Sequence, residues 1–165
     1  MEIYSWNVNG IRSVTKKGFE SWFNATKPEI LCLQEVRAEK DQLPDFLLDA
    51  EGYYSFWNPC QKKKGYSGVG ILSQIEPDEV NYGMGIDEFD EEGRIVQLVF
   101  PDWVLNSVYF PNGGQGEERL DYKLRFYDAF LENSFAKNAV TEPEIPSISF
   151  TICSSFSIKE RRFFV

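Results

Sequence analysis

The carboxylate of Glu35 stands where α/β enzymes usually place a reactive group. It follows Ile30 to Leu33, four apolar residues that are too few for a free-standing helix and are typical of a strand covered on both faces. Ligands of open α/β sheets bind outside the carboxyl ends of the strands, so Glu35 is a candidate catalytic or metal-binding group. From this stretch alone, a first solvated residue after a strand is an equally good interpretation.

Two more polar side chains come at the ends of predicted strands. Asn7 lies at the end of the alternating segment 3–8, and Tyr109 lies near the end of the segment 103–110. If these strands are neighbours in one sheet, their ends meet at one edge, where a carboxylate and an amide oxygen form a minimal Mg²⁺ site. Taken singly, Asn7 also fits a turn-initiating residue, and Tyr109 a cross-strand core aromatic.

A glycine-rich turn offers a place for phosphate. Gly65-Tyr66-Ser67-Gly68 follows three lysines, and backbone N–H groups in such a loop can face a phosphate while the lysines add positive charge. Arg94, beside Gly93, offers a guanidinium fork for the same ligand. The alternatives are an ordinary hairpin turn with a solvated charge run, and a surface strand residue for Arg94.

Composition narrows the classes of function. The 165 residues predict one domain, and the net charge of −9 provides no fold-wide positive field of the kind common in nucleic-acid binders. A polyanion would therefore be held by local Lys and Arg groups or by a bound cation. Because the sequence has no histidine, Ser-His and Cys-His nucleophile pairs are excluded and oxygen ligands remain for a metal.

The sequence predicts a soluble, cytoplasmic protein. Its three cysteines are far apart in the sequence and form no zinc or disulfide spacing, which fits a reducing compartment. The first residues form no signal-peptide core, and no apolar window is long enough to span a membrane.

Hydrophobic periodicity predicts an alternation of strands and helices. The longest predicted helix covers Glu117 to Phe135, with a buried stripe of Leu120, Leu124, Tyr127 and Leu131. A hairpin is predicted from the β-rich runs 94–100 and 103–110. Further strands are predicted at 3–8, 30–33, 53–57 and 69–72, and shorter helices around Phe19 to Phe23 and Phe46 to Ala50.

The character of the sequence changes after the long helix. Residues 129–165 contain no Asp and no Gly, and five serines lie between Ser147 and Ser157. We therefore divide the chain into residues 1–135 and a tail of aberrant composition, residues 136–165, in which 147–153 could form a strand.

Five motifs together resemble a known family. They are Ser5-Trp6-Asn7-Val8-Asn9-Gly10-Ile11-Arg12, Leu33-Gln34-Glu35, Lys64-Gly65-Tyr66-Ser67-Gly68-Val69, Glu92-Gly93-Arg94 and Tyr109-Phe110-Pro111-Asn112-Gly113. In this order and spacing they resemble the motifs of the exonuclease III family of AP endonucleases. The resemblance implies an α/β fold, the N-terminal portion of the four-layer DNase I-like (endonuclease/exonuclease/phosphatase) sandwich. It also implies Mg²⁺-dependent hydrolysis of DNA phosphodiesters, 5′ to an abasic site or from a 3′ end.

Carried over by position, the resemblance assigns roles to seven residues. Glu35 resembles the metal-binding carboxylate and Asn7 its partner, with Mg²⁺ or Mn²⁺ as the ion, while Tyr109 resembles the active-site tyrosine. The residues that resemble groups holding the DNA backbone are Gly65, Tyr66, Arg94 and Asn112. The implied partner is double-stranded DNA with abasic sites or 3′ ends, bound by a monomer and with no membrane association.

The sequence also departs from the family. The Gly-Asp-x-Asn motif, whose Asp activates the attacking water, and the Ser-Asp-His motif are both absent from these 165 residues. We therefore expect a truncated or frameshifted copy that is inactive or nearly so. The alternatives are a non-catalytic DNA-binding or structural remnant, and a phosphoesterase of the same superfamily that acts on a small phosphate ester.

Overall fold

A computed structural model describes residues 1–114, 116–136, 149–153 and 161–164. The strands are β1 (Glu2–Asn7), β2 (Ile30–Gln34), β3 (Tyr54–Asn58), β4 (Val69–Ser73), β5 (Glu79–Tyr82), β6 (Ile95–Phe100), β7 (Trp103–Val108), β8 (Ser149–Cys153) and β9 (Arg161–Phe164). The α-helices are α1 (Ile11–Thr15), α2 (Phe19–Thr26), α3 (Asp45–Leu48), α4 (Asp87–Asp90) and α5 (Glu117–Ala136), and Lys40–Gln42 forms one 3₁₀ turn.

The strands form two sheets. The first has the order β3-β4-β2-β1-β9 and the second the order β5-β6-β7-β8. Strands β1 and β2 are parallel, with Asn7 opposite Gln34, whereas β6 and β7 form the antiparallel hairpin predicted from the sequence. The prediction of a shared edge requires the strands near Asn7, Glu35 and Tyr109 to be neighbours in one sheet. Strands β1 and β2 are neighbours, whereas β7 belongs to the second sheet.

Three apolar clusters fill the spaces between four layers of helices and sheets. The first packs α2 and α3 against one face of the first sheet, as in the contacts of Phe19, Phe23 and Leu47. The second fills the space between the sheets, and the third packs α4 and α5 on the outer face of the second sheet. This helix-sheet-sheet-helix arrangement confirms the predicted four-layer α/β sandwich.

Alternation along β1 explains how it serves two layers. Tyr4 and Trp6 pack on the helix side and Ile3 in the layer between the sheets, as the predicted alternation required. In β2, residues 30–33 are completely buried, which confirms a strand covered on both faces.

The predicted buried stripe of α5 is wrong. Leu120, Leu124 and Leu131 are 46%, 55% and 49% exposed, and the buried face of the helix consists of Tyr122, Phe126 and Phe130. Both stripes have helical spacing, and the aromatic one is buried because it meets Phe89 of α4 and Phe110 after β7.

Some features lie outside the predictions. The edge strand β5 and the short helices α1 and α4 were not predicted. The tail boundary at 136 falls at the end of α5. Most of residues 136–165 lie outside the described residues, although β8 pairs with β7 and β9 with β1. Over the part of the chain that the structure describes, no helix combines the length and apolar character needed to cross a membrane.

Gly93 enforces a tight backbone contact next to Arg94. Its φ is 60°, and a Cβ there would lie 2.5 Å from the Pro59 carbonyl and 2.6 Å from the Asn58 oxygen. We expect Gly93→Ala to lower the free energy of unfolding by about 1–3 kcal/mol or more, since strain and a backbone clash combine.

Chemical denaturation of Gly93→Ala and of Gly52→Ala measures this effect. Gly52 also has a positive φ, 79°, but a Cβ there meets nothing within 4 Å, so only the cost of the backbone conformation remains. Equal losses of stability in the two variants would contradict the close approach at Gly93.

Candidate active site

The carboxylate of Glu35 is held by the end of β1. Parallel pairing of β1 with β2 sets Asn7 opposite Gln34, and Glu35 follows with a φ of 53°. Asn7 Nδ2 donates to Glu35 Oε1 at 3.0 Å, while Asn7 Oδ1 accepts the N–H of Asn9 at 3.0 Å. The amide therefore presents its nitrogen to Glu35, which suits a residue that orients the carboxylate.

Arg37 contacts the other oxygen of the same carboxylate. Its Nη2 donates to Glu35 Oε2 at 2.7 Å, and the Glu35 side chain is 13% exposed against 45% for Arg37. The carboxylate is thus mostly shielded but opens toward a more exposed cation. An arginine this exposed is a partner that an incoming ligand can replace.

Tyr109 reaches this carboxylate from the other sheet. It follows β7 and lies half-buried. Burial, then the hydrogen bond and negative charge of Glu35, raise the pKa of the Tyr109 hydroxyl well above its usual range. The phenol, which is protonated at neutral pH in any case, consequently keeps its proton and its role as a hydrogen-bond donor into the alkaline range.

A buried polar bridge fixes the distance between the two sheets below this point. Gln34 Nε2 donates to Ser107 Oγ at 3.1 Å and to Ser5 Oγ at 3.2 Å, with all three side chains buried. Gln34 immediately precedes Glu35, and Ser107 lies two residues before Tyr109. The bridge therefore sets the two reactive side chains at the same edge of the sandwich.

Arg94 lies in a buried network. Its side chain is 1% exposed and donates to Glu92 Oε2 at 2.5 Å, to the Tyr109 carbonyl at 2.8 Å and to the Tyr66 hydroxyl at 3.0 Å. This placement gives no support to a direct phosphate contact, because the guanidinium is already engaged by three groups. Arg94 links Tyr66 to Tyr109 instead.

The glycine-rich turn borders a basic cleft. Gly65, with a φ of 69°, is exposed and lines a cleft of about 420 Å³ together with Gly10, Arg12, Ser13, Lys16 and Arg37. Three of these six residues are cations and none is an acid, in a chain of net charge −9. Sequence reasoning did not select Arg12, Lys16 or Arg37. For Arg12 a signal existed, since it ends the first quoted motif.

Asn112 lies apart from these contacts. It is exposed, and its Oδ1 accepts the N–H of Gly114 at 3.0 Å, which organises the loop between β7 and α5. Its Nδ2 has no acceptor among the described residues. The amide donor is therefore accessible on the loop that begins at Tyr109.

The donor set around Glu35 suits a hard cation. Within the ranges that the structure describes, no three His, Cys, Asp or Glu residues come close enough to form a metal cage. Mg²⁺ does not need such a cage, because it commonly binds one or two carboxylates and keeps several waters. Glu35 carries such a carboxylate, and the Asn7 amide, whose nitrogen donates to it and whose oxygen accepts from Asn9, orients it, so the donor set fits a hard cation.

Comparison with known proteins identifies the family. The family model described as Endonuclease/Exonuclease/phosphatase family matches residues 4–137. The chain belongs to this family. It is similar to an exodeoxyribonuclease of Bacillus subtilis, with 41% identity over 132 residues that cover 79% of this chain and 51% of that protein. It is also similar to the DNA repair nuclease APEX1 of Danio rerio, 42% identical over 124 residues, 74% of this chain and 40% of that one.

A solved structure supports the same fold. The AP endonuclease from Archaeoglobus fulgidus superposes with a TM-score of 0.69 at 27% identity, over 86% of this chain and 52% of that one. The chain therefore spans about half the length of the endonuclease/exonuclease/phosphatase relatives that it matches. Residues 4–137, which the family model matches, include Asn7, Glu35 and Tyr109.

The protonation of Tyr109 yields a test of the site. Because its pKa is higher in the folded chain than in the unfolded one, the folded state retains the proton above pH about 10, and the free energy of unfolding falls as pH rises from there. We expect Tyr109→Phe to lose less stability than the unmodified chain over that alkaline range. Denaturation at a series of pH values, with tyrosinate absorbance as a second readout, measures this.

Tyr54→Phe is the control. Tyr54 is exposed at the edge of the first sheet, and its pKa is raised by a hydrogen bond to Glu76, with no protecting burial. This variant should follow the unmodified chain more closely than Tyr109→Phe does. Identical alkaline profiles for all three proteins would contradict the assignment of a protonated, buried Tyr109.

Proposed function

We propose that this chain carries the first half of a metal-dependent DNA repair nuclease that hydrolyses phosphodiesters 5′ to abasic sites or from 3′ ends. The observation that carries the proposal is the placement of Glu35 and Tyr109, from two different sheets, at one edge of the sandwich. Asn7 orients Glu35, and the buried hydrogen bond between Gln34 and Ser107 joins the two strands next to these residues. The names of the relatives, an exodeoxyribonuclease and a DNA repair nuclease, support DNA as the substrate.

Glu35 is the residue that would hold the metal ion, Mg²⁺ or Mn²⁺. When bound, such an ion polarises a phosphoryl oxygen and stabilises the charge of the leaving oxygen. Asn7 restricts the carboxylate through its hydrogen bond to Oε1. Arg37, on Oε2, neutralises Glu35 before binding and can turn toward a phosphate in the adjoining cleft.

Tyr109 is the catalytic donor in this proposal. Its hydroxyl keeps its proton at neutral pH and can donate to a non-bridging phosphate oxygen as negative charge grows in the transition state. Its position is fixed through its own backbone, since Arg94 Nη1 donates to the Tyr109 carbonyl at 2.8 Å. Because this backbone is fixed, only the hydroxyl has to change its acceptor, from Glu35 to the phosphate oxygen.

The DNA backbone would lie along the basic cleft and the glycine-rich turn. Arg12, Lys16 and Arg37 supply the local positive charge that the chain as a whole lacks. Gly65, Tyr66 and the exposed amide of Asn112 would hold further phosphates of the backbone. These contacts fix the position of the duplex without reading its sequence.

The 165-residue chain is proposed to be slow or inactive as a catalyst. Residues 1–135 carry the metal, tyrosine and phosphate-contact motifs, whereas 136–165 provide neither the Gly-Asp-x-Asn nor the Ser-Asp-His motif. Without the Asp of the first, these residues lack the general base that the family resemblance assigns to the attacking water. We place the protein in the cytoplasm as a monomer.

Binding and cleavage of an abasic-site duplex test the proposal. In fluorescence anisotropy we expect tighter binding to a duplex with an abasic analogue than to the intact duplex, with affinity that falls as salt rises, because phosphate contacts dominate. Mg²⁺ should tighten binding, and Glu35→Gln should abolish that Mg²⁺ effect. Cleavage should be far slower than by the full-length Bacillus subtilis exodeoxyribonuclease.

The control for Glu35→Gln is Glu20→Gln, an exposed acid on α2 that has the same charge. A cleavage rate equal to that of the full-length relative would refute the proposed inactivity. An affinity for DNA that does not change between low and high salt would contradict the nuclease assignment. Absence of DNA binding would contradict it as well. Hydrolysis of a small phosphate ester with no DNA binding would favour the alternative phosphoesterase.

A further inference from the structure

Two arginines converge on one phenol oxygen beside the proposed DNA-binding surface. Arg94 Nη2 donates to the Tyr66 hydroxyl at 3.0 Å, and Arg119 Nη2, from the first turn of α5, donates to the same oxygen at 2.9 Å. A phenol oxygen offers two acceptor positions and one proton. Both acceptor positions of Tyr66 are therefore used by guanidinium groups.

A buried carboxylate holds the two arginines together. Glu92 is 7% exposed, and it accepts from Arg94 Nε and from both terminal nitrogens of Arg119, at 3.0 Å and 2.9 Å. Burial alone would raise the pKa of the Glu92 carboxyl, but the hydrogen bond of Arg119 and the charge of Arg94 outweigh burial and lower it. Glu92 thus stays ionised and keeps both guanidinium planes fixed.

The Tyr66 hydroxyl still has its own proton to donate. With its oxygen saturated by donors, the hydroxyl can only donate, and no acceptor for this proton is found among the described residues. Tyr66 is half-buried and directly follows Gly65, which is exposed and lines the basic cleft. An anionic oxygen that arrives from solvent, such as a DNA phosphate, is the acceptor that this geometry fits.

We propose that Glu92 and Arg119 are positioning residues that, with Arg94, make the Tyr66 hydroxyl an obligate donor to a DNA phosphate. The inference rests on the proposed function, because it takes DNA as the ligand. Arg119 lies in none of the five sequence motifs. The inference is that Arg119 affects DNA binding by positioning Tyr66. The same network reaches Tyr109 through Arg94, so both sides of the site share one support.

A double-mutant cycle tests this route. Tyr66→Phe removes the donor and should weaken binding to the abasic-site duplex about tenfold, the effect of one hydrogen bond to a charged group. Arg119→Gln should cause a similar loss. In the double variant the loss should be smaller than the sum of the two single losses, because the effect of Arg119 on binding passes through the Tyr66 hydroxyl.

Arg125→Gln is the matched control. Arg125 also lies on α5 and carries the same charge, but it pairs with Asp121 and Glu88 at the surface and does not reach Tyr66. Its loss should change affinity less than twofold. If Arg125→Gln weakens binding as much as Arg119→Gln, the effect is general electrostatics and the proposal fails. Additive losses for Tyr66→Phe and Arg119→Gln would also overturn it.

A measurement without DNA separates this inference from the proposed function. In protein labelled with 3-fluorotyrosine, the ¹⁹F resonance of Tyr66, assigned with Tyr66→Phe, should shift in Arg119→Gln and stay in place in Arg125→Gln. Arg119→Lys, which retains the charge but not the planar fork, should give a shift between those of the unmodified chain and Arg119→Gln. An unmoved resonance in Arg119→Gln refutes the positioning role. Absence of DNA binding by the unmodified chain refutes the proposed function instead.

Discussion

The hydrogen bond between Gln34 and Ser107 is the constraint on which the site depends. It crosses from one sheet to the other between two completely buried side chains. Loss of either partner would leave a polar group unsatisfied in the core, at a cost of about 1–3 kcal/mol, so the bond selects one relative position of the sheets. A second bridge, from Asn58 Nδ2 to the Ile95 carbonyl at 2.9 Å, fixes the same sandwich at another point.

Because the bond between Gln34 and Ser107 fixes the two sheets relative to each other, each sheet can provide a different part of the site. The first sheet provides the carboxylate and the amide that orients it, and the second provides the tyrosine that faces them. Neither sheet alone brings Glu35 and Tyr109 together. The arginines connect these parts further, since three of them pair with acids near the site: Arg37 with Glu35, and Arg94 and Arg119 with Glu92. This pairing keeps a strongly acidic chain from repelling a polyanion at the one place where binding is proposed.

The sequence predicted the elements that depend on local pattern. Complete burial of 30–33, the alternation in β1 and the hairpin around Pro101-Asp102 each follow from short-range periodicity, and the pairing of Asn7 with Glu35 follows from adjacent parallel strands. What failed depends on tertiary contacts. In α5 two apolar stripes have the same spacing, and only the presence of Phe89 and Phe110 decides that the aromatic one is buried.

Arg94 shows the same limit for the site. Its type and its neighbour Gly93 fit a phosphate ligand, but the approach of Glu92, Tyr66 and the Tyr109 carbonyl places it inside the protein. Arg119 could not be found from sequence, because its partners lie 27 and 53 residues away. The five motifs nevertheless identified the family, because their order and spacing along the chain are specific to its fold. No single one of these positions would have been sufficient.

Paramagnetic broadening by Mn²⁺ tests the central claim most directly. With the isotope-labelled chain titrated with Mn²⁺, resonances of Asn7, Glu35 and Tyr109 should broaden first, and Glu35→Gln should remove that selectivity, while Glu20→Gln should retain it. Broadening that begins elsewhere, or that persists around Asn7 and Tyr109 in Glu35→Gln, would show that the carboxylate after β2 does not hold the metal.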